Sequence, residues 1–326
     1  MSLPPRVVTF GELLLRLTPP RREPLLHSAE LRANFGGAEA NVAVSLAHLG
    51  HPVSYVTALP DNALGGLALA ALRAEGVEVR SREIRGSRLG LFFVDLGTDE
   101  RPAATTYDRA HSAFSQVNAS SFAWLELLSG VAWFHCTGIT PALGSGPAGA
   151  LGAAVSTARY LQVPVSVDLN YRPALWSGDP GPSIAPLAQG ADLLIGSQSA
   201  FAAMLGLDSG ELSRIALATG AQRVALTRRE VEPGNRHRWS ASLYDVASDT
   251  LHDSTVYRVP AVDRVGGGDS FAAALLSQLL RHDPLERALA LAVLAGAHKL
   301  GVSGDWSRLD SPSLERLLEE PDPAWS

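Results

Sequence analysis

The chain has 326 residues, of which 46% are hydrophobic and 18% are charged, enough apolar sequence to form the core of one large α/β domain. A formal net charge of −6 provides no basic footprint for nucleic acid, and no apolar run reaches the length needed to span a bilayer. The single cysteine, Cys136, excludes an internal disulfide, and the first residues lack a charged-then-apolar leader, so we expect a cytoplasmic protein.

The first predicted strand, Val7–Phe10, is buried, and the alternating pattern that continues to Leu17 predicts a strand that leaves the main sheet. Gly36 and Gly37 then open a helix that is rich in small residues. Because glycine allows a close approach, this pair indicates either a substrate contact, with Asn41 facing the substrate, or close packing of the helix on the sheet.

A β–α unit and a hairpin come next. A strand at Val53–Ala58 and a helix at about Leu64–Glu75 form the unit. The extended runs Arg88–Gly97 and Ala103–Phe114 are too close together for a crossover helix, so they predict an antiparallel hairpin. With the segment that follows residue 12, this hairpin is expected to form a small second sheet over one edge of the domain.

The second arm of the hairpin carries side chains that suit ligand recognition. Tyr107 and Arg109 on a mobile lid are suited to bind hydroxyls and a carboxylate. An exposed strand face rich in tyrosine and arginine is also common without a ligand, so both interpretations stay open at this point. We interpret His111 as structural.

The middle of the chain returns to alternating strands and helices. The predicted strands are Val131–Cys136, Val163–Asp168, Asp192–Gly196, Arg223–Thr227 and Ser242–Val246. Successive strands separated by helical stretches favour a mostly parallel, doubly wound sheet, which binds ligands beyond the carboxyl ends of its strands. Asp168, Asn170 and Arg172 lie at such an end. Arg172 is the best candidate among them for a nucleotide phosphate, although a self-satisfied loop network fits equally well.

Two other nucleotide-binding classes are disfavoured. Residues 144–149, Gly-Ser-Gly-Pro-Ala-Gly, match the dinucleotide fingerprint, but a long connection precedes the first glycine and Pro147 removes a helical N–H donor. This argues against a dehydrogenase. The Gly-Lys-Ser/Thr ending of a P-loop is absent from the sequence, which argues against a P-loop kinase.

The strongest functional signal is the run Gly266, Gly267, Gly268 and Asp269, which opens a helix with apolar residues at helical spacing. Backbone N–H groups and the positive end of the helix dipole converge there, so the run predicts an anion pocket. Asp269 in the same pocket is suited to take a proton from an attacking hydroxyl, which indicates phosphoryl transfer. The alternative is that Asp269 is only a helix N-cap and the glycines only a turn.

Several motifs occur in order along nearly the whole chain. They are Gly11-Glu12 with Leu15-Arg16-Leu17, Gly36-Gly37-Ala38-Glu39-Ala40-Asn41, Tyr107-Asp108-Arg109, His135 with Thr137-Gly138, Asp168-Leu169-Asn170-Tyr171-Arg172, and the run from Asp263 to Phe271. This ordered set resembles the ribokinase-like (PfkB-type) carbohydrate kinases, and among them the bacterial 2-keto-3-deoxygluconate kinases.

The resemblance implies an α/β protein with a three-layer ribokinase-like fold, in which a mostly parallel central sheet carries a small antiparallel β-lid. It implies a single domain over 1–326, with the lid formed from about 12–35 and 88–115. It also implies ATP as the phosphoryl donor, a sugar hydroxyl as the acceptor and Mg²⁺ as a cofactor. Family members are commonly oligomers made through the lid, so a homo-oligomer is expected.

The family pattern also implies residue roles. Asp269 is the implied general base, and Gly266, Gly267 and Gly268 are the implied anion hole. The implied substrate-binding positions are Gly36, Gly37, Asn41, Phe92, Tyr107, Arg109 and Asp305. The implied nucleotide-binding positions are Asn170, Arg172, Ser197, Thr227 and Arg228. Arg109 is expected to bind the substrate carboxylate.

The sequence departs from the family pattern at a few positions. Ser197 and Ala200 occupy positions where family members often carry an asparagine and a glutamate that organise Mg²⁺, so we assign no metal ligands and expect weaker or rearranged Mg²⁺ binding. Phe92 replaces a lid tyrosine, which removes one hydroxyl from the sugar site. Gly267 replaces the central alanine of the family motif and retains its amide.

We therefore expect an ATP-dependent kinase that phosphorylates the terminal hydroxyl of a sugar acid, with 2-keto-3-deoxygluconate as the expected substrate. One alternative is a kinase for another sugar, of the fructose or ribose type. The other is a sugar or nucleotide binder without catalytic activity, which Ser197 and Ala200 favour and Asp269 disfavours. The expected partners are the sugar acid and ATP, and neither nucleic acid nor a membrane is expected.

Overall fold

The computed structural model describes residues 6–98, 101–208, 210–320 and 322–325. The strands are β1 Val7–Phe10, β2 Leu14–Thr18, β3 Arg32–Gly36, β4 Val53–Pro60, β5 Glu78–Ile84, β6 Gly90–Asp95, β7 Ala104–Asp108, β8 Trp133–Thr137, β9 Val165–Asp168, β10 Leu193–Ser197, β11 Arg223–Glu232, β12 Arg236–Asp245, β13 Thr250–Asp253 and β14 Tyr257–Pro260. The helices are α1 Ala38–His48, α2 Ala63–Ala74, α3 Trp124–Leu128, α4 Ser145–Tyr160, α5 Gly181–Ala188, α6 Gln198–Leu205, α7 Leu212–Thr219, α8 Gly267–Leu280, α9 Leu285–Leu300 and α10 Ser311–Glu319. None of these helices is long and apolar enough to cross a membrane.

The central sheet has ten strands in the order β13-β12-β11-β10-β9-β8-β1-β4-β5, with β14 paired to β12. All pairs between β5 and β11 are parallel. The predicted mostly parallel sheet is therefore confirmed. Parallel order brings the carboxyl ends of β8, β9, β10 and β11 to one edge, where the loops that follow them meet.

Helices cover both faces of this sheet and produce three layers. Neighbouring strand residues point to opposite faces, so Val7 and Tyr55 join one hydrophobic cluster whereas Val8 and Val56 join the other. The first cluster includes buried residues of α1, α2, α8, α9 and α10, and the second those of α3, α4, α5, α6 and α7. Strands buried on both faces explain the continuous apolar runs in the sequence.

The second sheet has four strands in the order β3-β2-β6-β7. The outer pairs are antiparallel, and the central pair of β2 with β6 is parallel. The predicted hairpin is confirmed as β6 and β7, and the first strand does leave the main sheet, because β1 and β2 belong to different sheets. We call this second sheet the lid.

One predicted arrangement is wrong. The strands at 223–227 and 242–246 were expected to be separated by a helix, but β11 and β12 form a long antiparallel hairpin. The chain reverses at Gly234 and Asn235, whose φ values of 76° and 52° provide the left-handed conformation that a tight hairpin turn requires.

The hairpin is fixed to the helical layer by Trp239. Its indole Nε1 donates to the carbonyl oxygen of Val293 in α9 at 3.0 Å. Gly296 lies so close to the ring that a Cβ there would meet Trp239 at 2.8 Å. Arg229 pairs directly with Trp239 across the two strands, so this packing also fixes the backbone of Arg229.

Candidate active site

A cavity of about 550 Å³ lies between the lid, the loops after the central strands and the N-terminus of α8. Many of the predicted site residues line it. They are Phe92, Tyr107, Asn170, Arg172, Ser197, Thr227, Gly266, Gly267, Gly268 and Asp269. Gly36, Gly37, Asn41, Arg109, Asp305 and Arg228 do not belong to this lining.

The glycine run forms the turn into α8. Gly266 precedes the helix with φ at 86°, and a Cβ there would lie 2.1 Å from the carbonyl oxygen of Asp305, so only glycine fits. The helix begins at Gly267, and the first N–H groups of a helix have no acceptor inside it. These groups and the helix dipole favour an anion at this end of the cavity.

Asp269 is the third residue of α8 rather than its N-cap, so the interpretation of Asp269 as an N-cap is wrong. Asn41 Nδ2 donates to its Oδ2 at 2.7 Å, and Asn170 Nδ2 lies 3.4 Å from its Oδ1. Burial raises the pKa of Asp269 above its ordinary value, and the bond from Asn41 and the charge of Arg172 oppose that rise. A buried carboxylate oriented in this way is suited to accept a proton.

Asn41 is fixed by its own helix. Its Oδ1 accepts from the N–H of Gly37 at 3.3 Å, which leaves Nδ2 to face Asp269. The structure therefore places Asn41 behind the carboxylate instead of on the cavity wall.

Two further carboxyl groups share this buried region. Burial, with the charge of Asp269, raises the pKa of Asp168 to about 7. Burial likewise raises the pKa of Glu39 to about 7, although Thr137 Oγ1 donates to Glu39 at 2.7 Å. Glu39 received no role from the sequence, because an acidic residue in the first turn of a helix is ordinary.

Arg109 and Asp305 each have a buried ion-pair partner. Arg109 Nε lies 2.7 Å from Glu12 Oε2, and Arg109 also lies over the ring of Tyr107. Arg16 bridges two carboxylates, with Nη1 at 2.7 Å from Asp305 and Nη2 at 2.7 Å from Asp263. Both predicted substrate-binding side chains are thus already paired below the lid.

The glycines at 36 and 37 are required by close packing. A Cβ on Gly36 would lie 2.1 Å from Asp305 Oδ2, and one on Gly37 would lie 2.3 Å from the carbonyl oxygen of Glu12. This geometry accounts for both glycines without a ligand.

Arg228 points away from the cavity. Its Nη1 donates to Ser242 Oγ at 2.6 Å, in a separate cleft on the other face of the hairpin. Thr227 and Arg229 line the cavity instead, because alternate residues of a strand share a face. The sequence reasoning missed Arg229, although the turn residues at 233–235 were a usable hairpin signal.

Other cavity residues received no role from the sequence. Arg264 lies just before the glycine run and lines the cavity, as do Trp239 and Ser199. Ser197 Oγ caps α6 by accepting from the N–H of Ala200 at 3.2 Å. In the described part of the chain, no group of three or more histidine, cysteine, aspartate or glutamate residues is arranged to hold a metal ion.

Comparison with known proteins finds similar sequences and a similar structure among carbohydrate kinases. Residues 4–311 match the model of the pfkB family carbohydrate kinases. The 2-dehydro-3-deoxygalactonokinase of Haloferax volcanii is 32% identical over 320 residues, 97% of each chain, and the 2-dehydro-3-deoxygluconokinase of Bacillus subtilis is 28% identical over 95% of this chain and 93% of its own. The crystal structure of 2-dehydro-3-deoxygluconokinase from Thermotoga maritima superposes with a TM-score of 0.92 at 34% identity, covering 97% of this chain and 99% of that one.

Proposed function

Because this chain belongs to the pfkB family of carbohydrate kinases, we propose that it transfers the γ-phosphoryl group of ATP to a hydroxyl of a sugar acid. The proposed acceptor is the terminal hydroxyl of 2-keto-3-deoxygluconate. The observation that carries the proposal is Asp269, a buried carboxylate held by Asn41 and Asn170 beside a glycine run at the wall of a cavity. The names of the similar kinases support a keto sugar acid as the acceptor class.

In this reaction Asp269 accepts the proton of the attacking hydroxyl. The amides of Gly266, Gly267 and Gly268 hold the oxygens of the transferring phosphoryl group, where negative charge must be stabilised. Since the transition state of phosphoryl transfer is loose, positioning and charge stabilisation do most of the work, and a modest base is sufficient.

The remaining predicted residues divide between the two substrates. Tyr107 and Phe92 reach the cavity from the lid and are proposed to contact the sugar acid. Four cavity-lining residues are proposed to contact ATP, namely Asn170 and Arg172 after β9, Ser197 at the end of β10 and Thr227 in the middle of β11. The residues behind the wall, Gly36, Gly37, Asn41, Arg109 and Asp305, are proposed to shape the sugar end, whereas Arg228 faces away from it.

Mg²⁺ fits this site as an ion held largely by nucleotide phosphates and water. Two oxygen donors are available, namely the Asp168 carboxyl and Asn170 Oδ1, which is buried and has no hydrogen-bond partner among the described residues. Mg²⁺ prefers oxygen ligands and usually retains several waters, so a large protein cage is not needed. When bound, the ion would neutralise part of the phosphate charge.

The lid supports the proposal of a homo-oligomer. Leu15, Leu17, Leu91 and Phe93 are half-buried on one face of the lid, and they lie side by side as the pairs Leu15 with Leu91 and Leu17 with Phe93. A contiguous apolar sheet face of this kind is suited to a second copy of the chain. We also propose one domain over the whole chain and a cytoplasmic location, where ATP is available.

The test is ADP release in a coupled assay with ATP and Mg²⁺. The acceptors are 2-keto-3-deoxygluconate, its galacto epimer, fructose and ribose, with Asp269→Asn as the control. We expect turnover of the keto acids by the wild type and its loss in the control. Preferential turnover of fructose or ribose would contradict the sugar-acid assignment, and ATP binding without turnover of any acceptor would identify a binding protein.

A further inference from the structure

Three guanidinium groups converge on the cavity from different elements. Arg172 follows β9, Arg229 belongs to β11 and Arg264 precedes α8, and all three line the cavity wall. Within the described residues, the side chains of Arg229 and Arg264 have no hydrogen-bond or ion-pair partner, and Arg172 contacts only the carbonyl oxygen of Tyr171, at 3.2 Å. The cavity therefore has a strongly cationic side, on which none of the three guanidinium groups forms an ion pair with a carboxylate of the described residues, although Asp168 and Asp269 line the same cavity.

Other arginines of this region are neutralised. Arg109 is paired with Glu12, and Arg16 with both Asp263 and Asp305. The unpaired arginines of the cavity wall thus differ from the two buried arginines beside it, Arg16 and Arg109, which are paired with carboxylates.

Burial and the mutual repulsion of the three cations affect the pKa values of two of them. Partial removal from water, together with the charges of Arg264 and Arg172, lowers the pKa of Arg229 to about 10. Burial, together with the charge of Arg172, also lowers the pKa of Arg264, and the charge of Asp263 opposes that change. Like charges held close together repel one another, and a bound anion reduces that repulsion.

The backbones of Arg229 and Arg264 are both held in place by well-packed neighbours. Arg229 lies opposite Trp239, which is packed against α9, and Arg264 lies two residues before the fixed turn at Gly266. Arg264 and Tyr107 of the lid also line the same cavity. Both side chains therefore start from rigid positions around one opening.

We propose that Arg229 and Arg264 are ligand-binding residues that hold, together with Arg172, an anionic oxygen group of a substrate. Guanidinium groups bind carboxylate and phosphate oxygens with paired, charge-assisted hydrogen bonds. The group is either a phosphate of the nucleotide or the carboxylate of the acceptor. This inference rests on the proposed kinase function, because that function supplies both anions to the same cavity.

The experiment compares Arg229→Met and Arg264→Met with the wild type. Methionine retains much of the apolar stem and removes the charge. The matched control is Arg238→Met, on the same hairpin, where Arg238 is paired with Glu230 in the cleft on the other face. Calorimetry measures the Kd of a non-hydrolysable ATP analogue without acceptor, and steady-state kinetics measures KM for ATP and for 2-keto-3-deoxygluconate.

We expect each of the two variants to weaken the binding of one substrate by about tenfold or more, since a charge-assisted hydrogen bond is lost. A higher Kd for the nucleotide analogue assigns the arginines to phosphate, and a higher KM for the keto acid alone assigns them to the carboxylate. Both effects should shrink in high salt, because Arg229 is exposed and Arg264 only half-buried, so dissolved ions can screen their charges. The control is expected to match the wild type.

Unchanged constants for both substrates in both variants, with normal turnover by the wild type, would overturn the inference and leave the kinase function intact. A wild type that turns over no sugar acid would instead refute the proposed function, and the calorimetric arm would still report whether the arginines bind nucleotide. Thermal unfolding of each variant verifies that the protein is folded.

Discussion

The hydrogen bond from Asn41 to Asp269 gives the sharpest test of the proposed base. Asn41→Ala removes a donor that lies 2.7 Å from the carboxylate and that favours its charged form. A hydrogen bond to a charged group contributes about 1.5–3 kcal/mol, and a tenfold change in a proton equilibrium corresponds to about 1.4 kcal/mol. The loss should therefore raise the pKa of Asp269 and lower the ionised fraction of the base at acidic pH by about tenfold or more.

The assay is kcat/KM for the sugar acid as a function of pH, with ATP saturating. The base must be deprotonated to act, so a raised pKa moves the acid limb of the profile to higher pH. Above that limb, activity should recover to within about tenfold of the wild type, because the carboxylate itself is still present.

Ser45→Ala is the matched control. Ser45 lies one turn further along the same helix and donates to the carbonyl oxygen of Asn41 at 2.8 Å, so its loss disturbs the helix without touching Asp269. The control should leave the acid limb in place. If Asn41→Ala lowers activity equally at every pH, the reasoning is refuted, and Asn41 merely supports the structure.

Three more predictions follow from the buried charges. Asp269→Asn should lower kcat by about 10²–10⁴-fold while the nucleotide Kd stays within about twofold, as measured by steady-state kinetics and calorimetry. Arg16→Met should cost about 3–5 kcal/mol in urea unfolding, because Asp263 and Asp305 are left buried without their cation, and neutralising both aspartates in addition should restore most of that loss. Burial raises the pKa of Glu39 to about 7, so this carboxyl group favours folding at low pH and loses that contribution as the pH rises from about 4.5 to about 7. Glutamine at this position does not titrate. The free energy of unfolding of Glu39→Gln should therefore rise by about 2–3 kcal/mol relative to that of the wild type between pH 5 and pH 8. A difference in the free energy of unfolding that stays constant over this range would contradict the buried titration.

The sequence was most informative where a local pattern carries the structure. The glycine run forms a turn into a helix through local interactions alone. The position of the residues after β9 at the site was predictable because ligands bind at the carboxyl ends of parallel strands. Arg228 shows the opposite case. Because the hairpin of β11 and β12 was not predicted, the alternation that separates the two arginines was not applied, and the sequence nominated Arg228, which faces away from the cavity, rather than Arg229, which lines it.

Contacts between distant parts of the chain could not be predicted in this way. Asn41 and Asp269 are 228 positions apart, and Arg109 and Glu12 are 97 positions apart. No periodicity links such residues, since their meeting depends on how the lid, α1 and α8 pack together. The sequence could therefore nominate Arg109 as a free cation, whereas the packed structure gives it a carboxylate partner.

If Asp269 is the base and the arginines hold the phosphoryl donor, as proposed above, the charges of the cavity link binding of the donor to the pKa of the base. Burial raises the pKa of both Asp168 and Asp269, and the charge of Arg172, one of the unpaired arginines of the wall, opposes that rise. An anion bound to Arg172 neutralises its charge and so removes its stabilising effect on the Asp269 carboxylate. The pKa of Asp269 therefore rises further when the anion is bound. A carboxylate with a higher pKa is a stronger proton acceptor as long as it remains ionised at the working pH. Phosphate binding at the arginines would thus strengthen Asp269 as a base when the phosphoryl donor is in place, and leave it weaker in the empty protein.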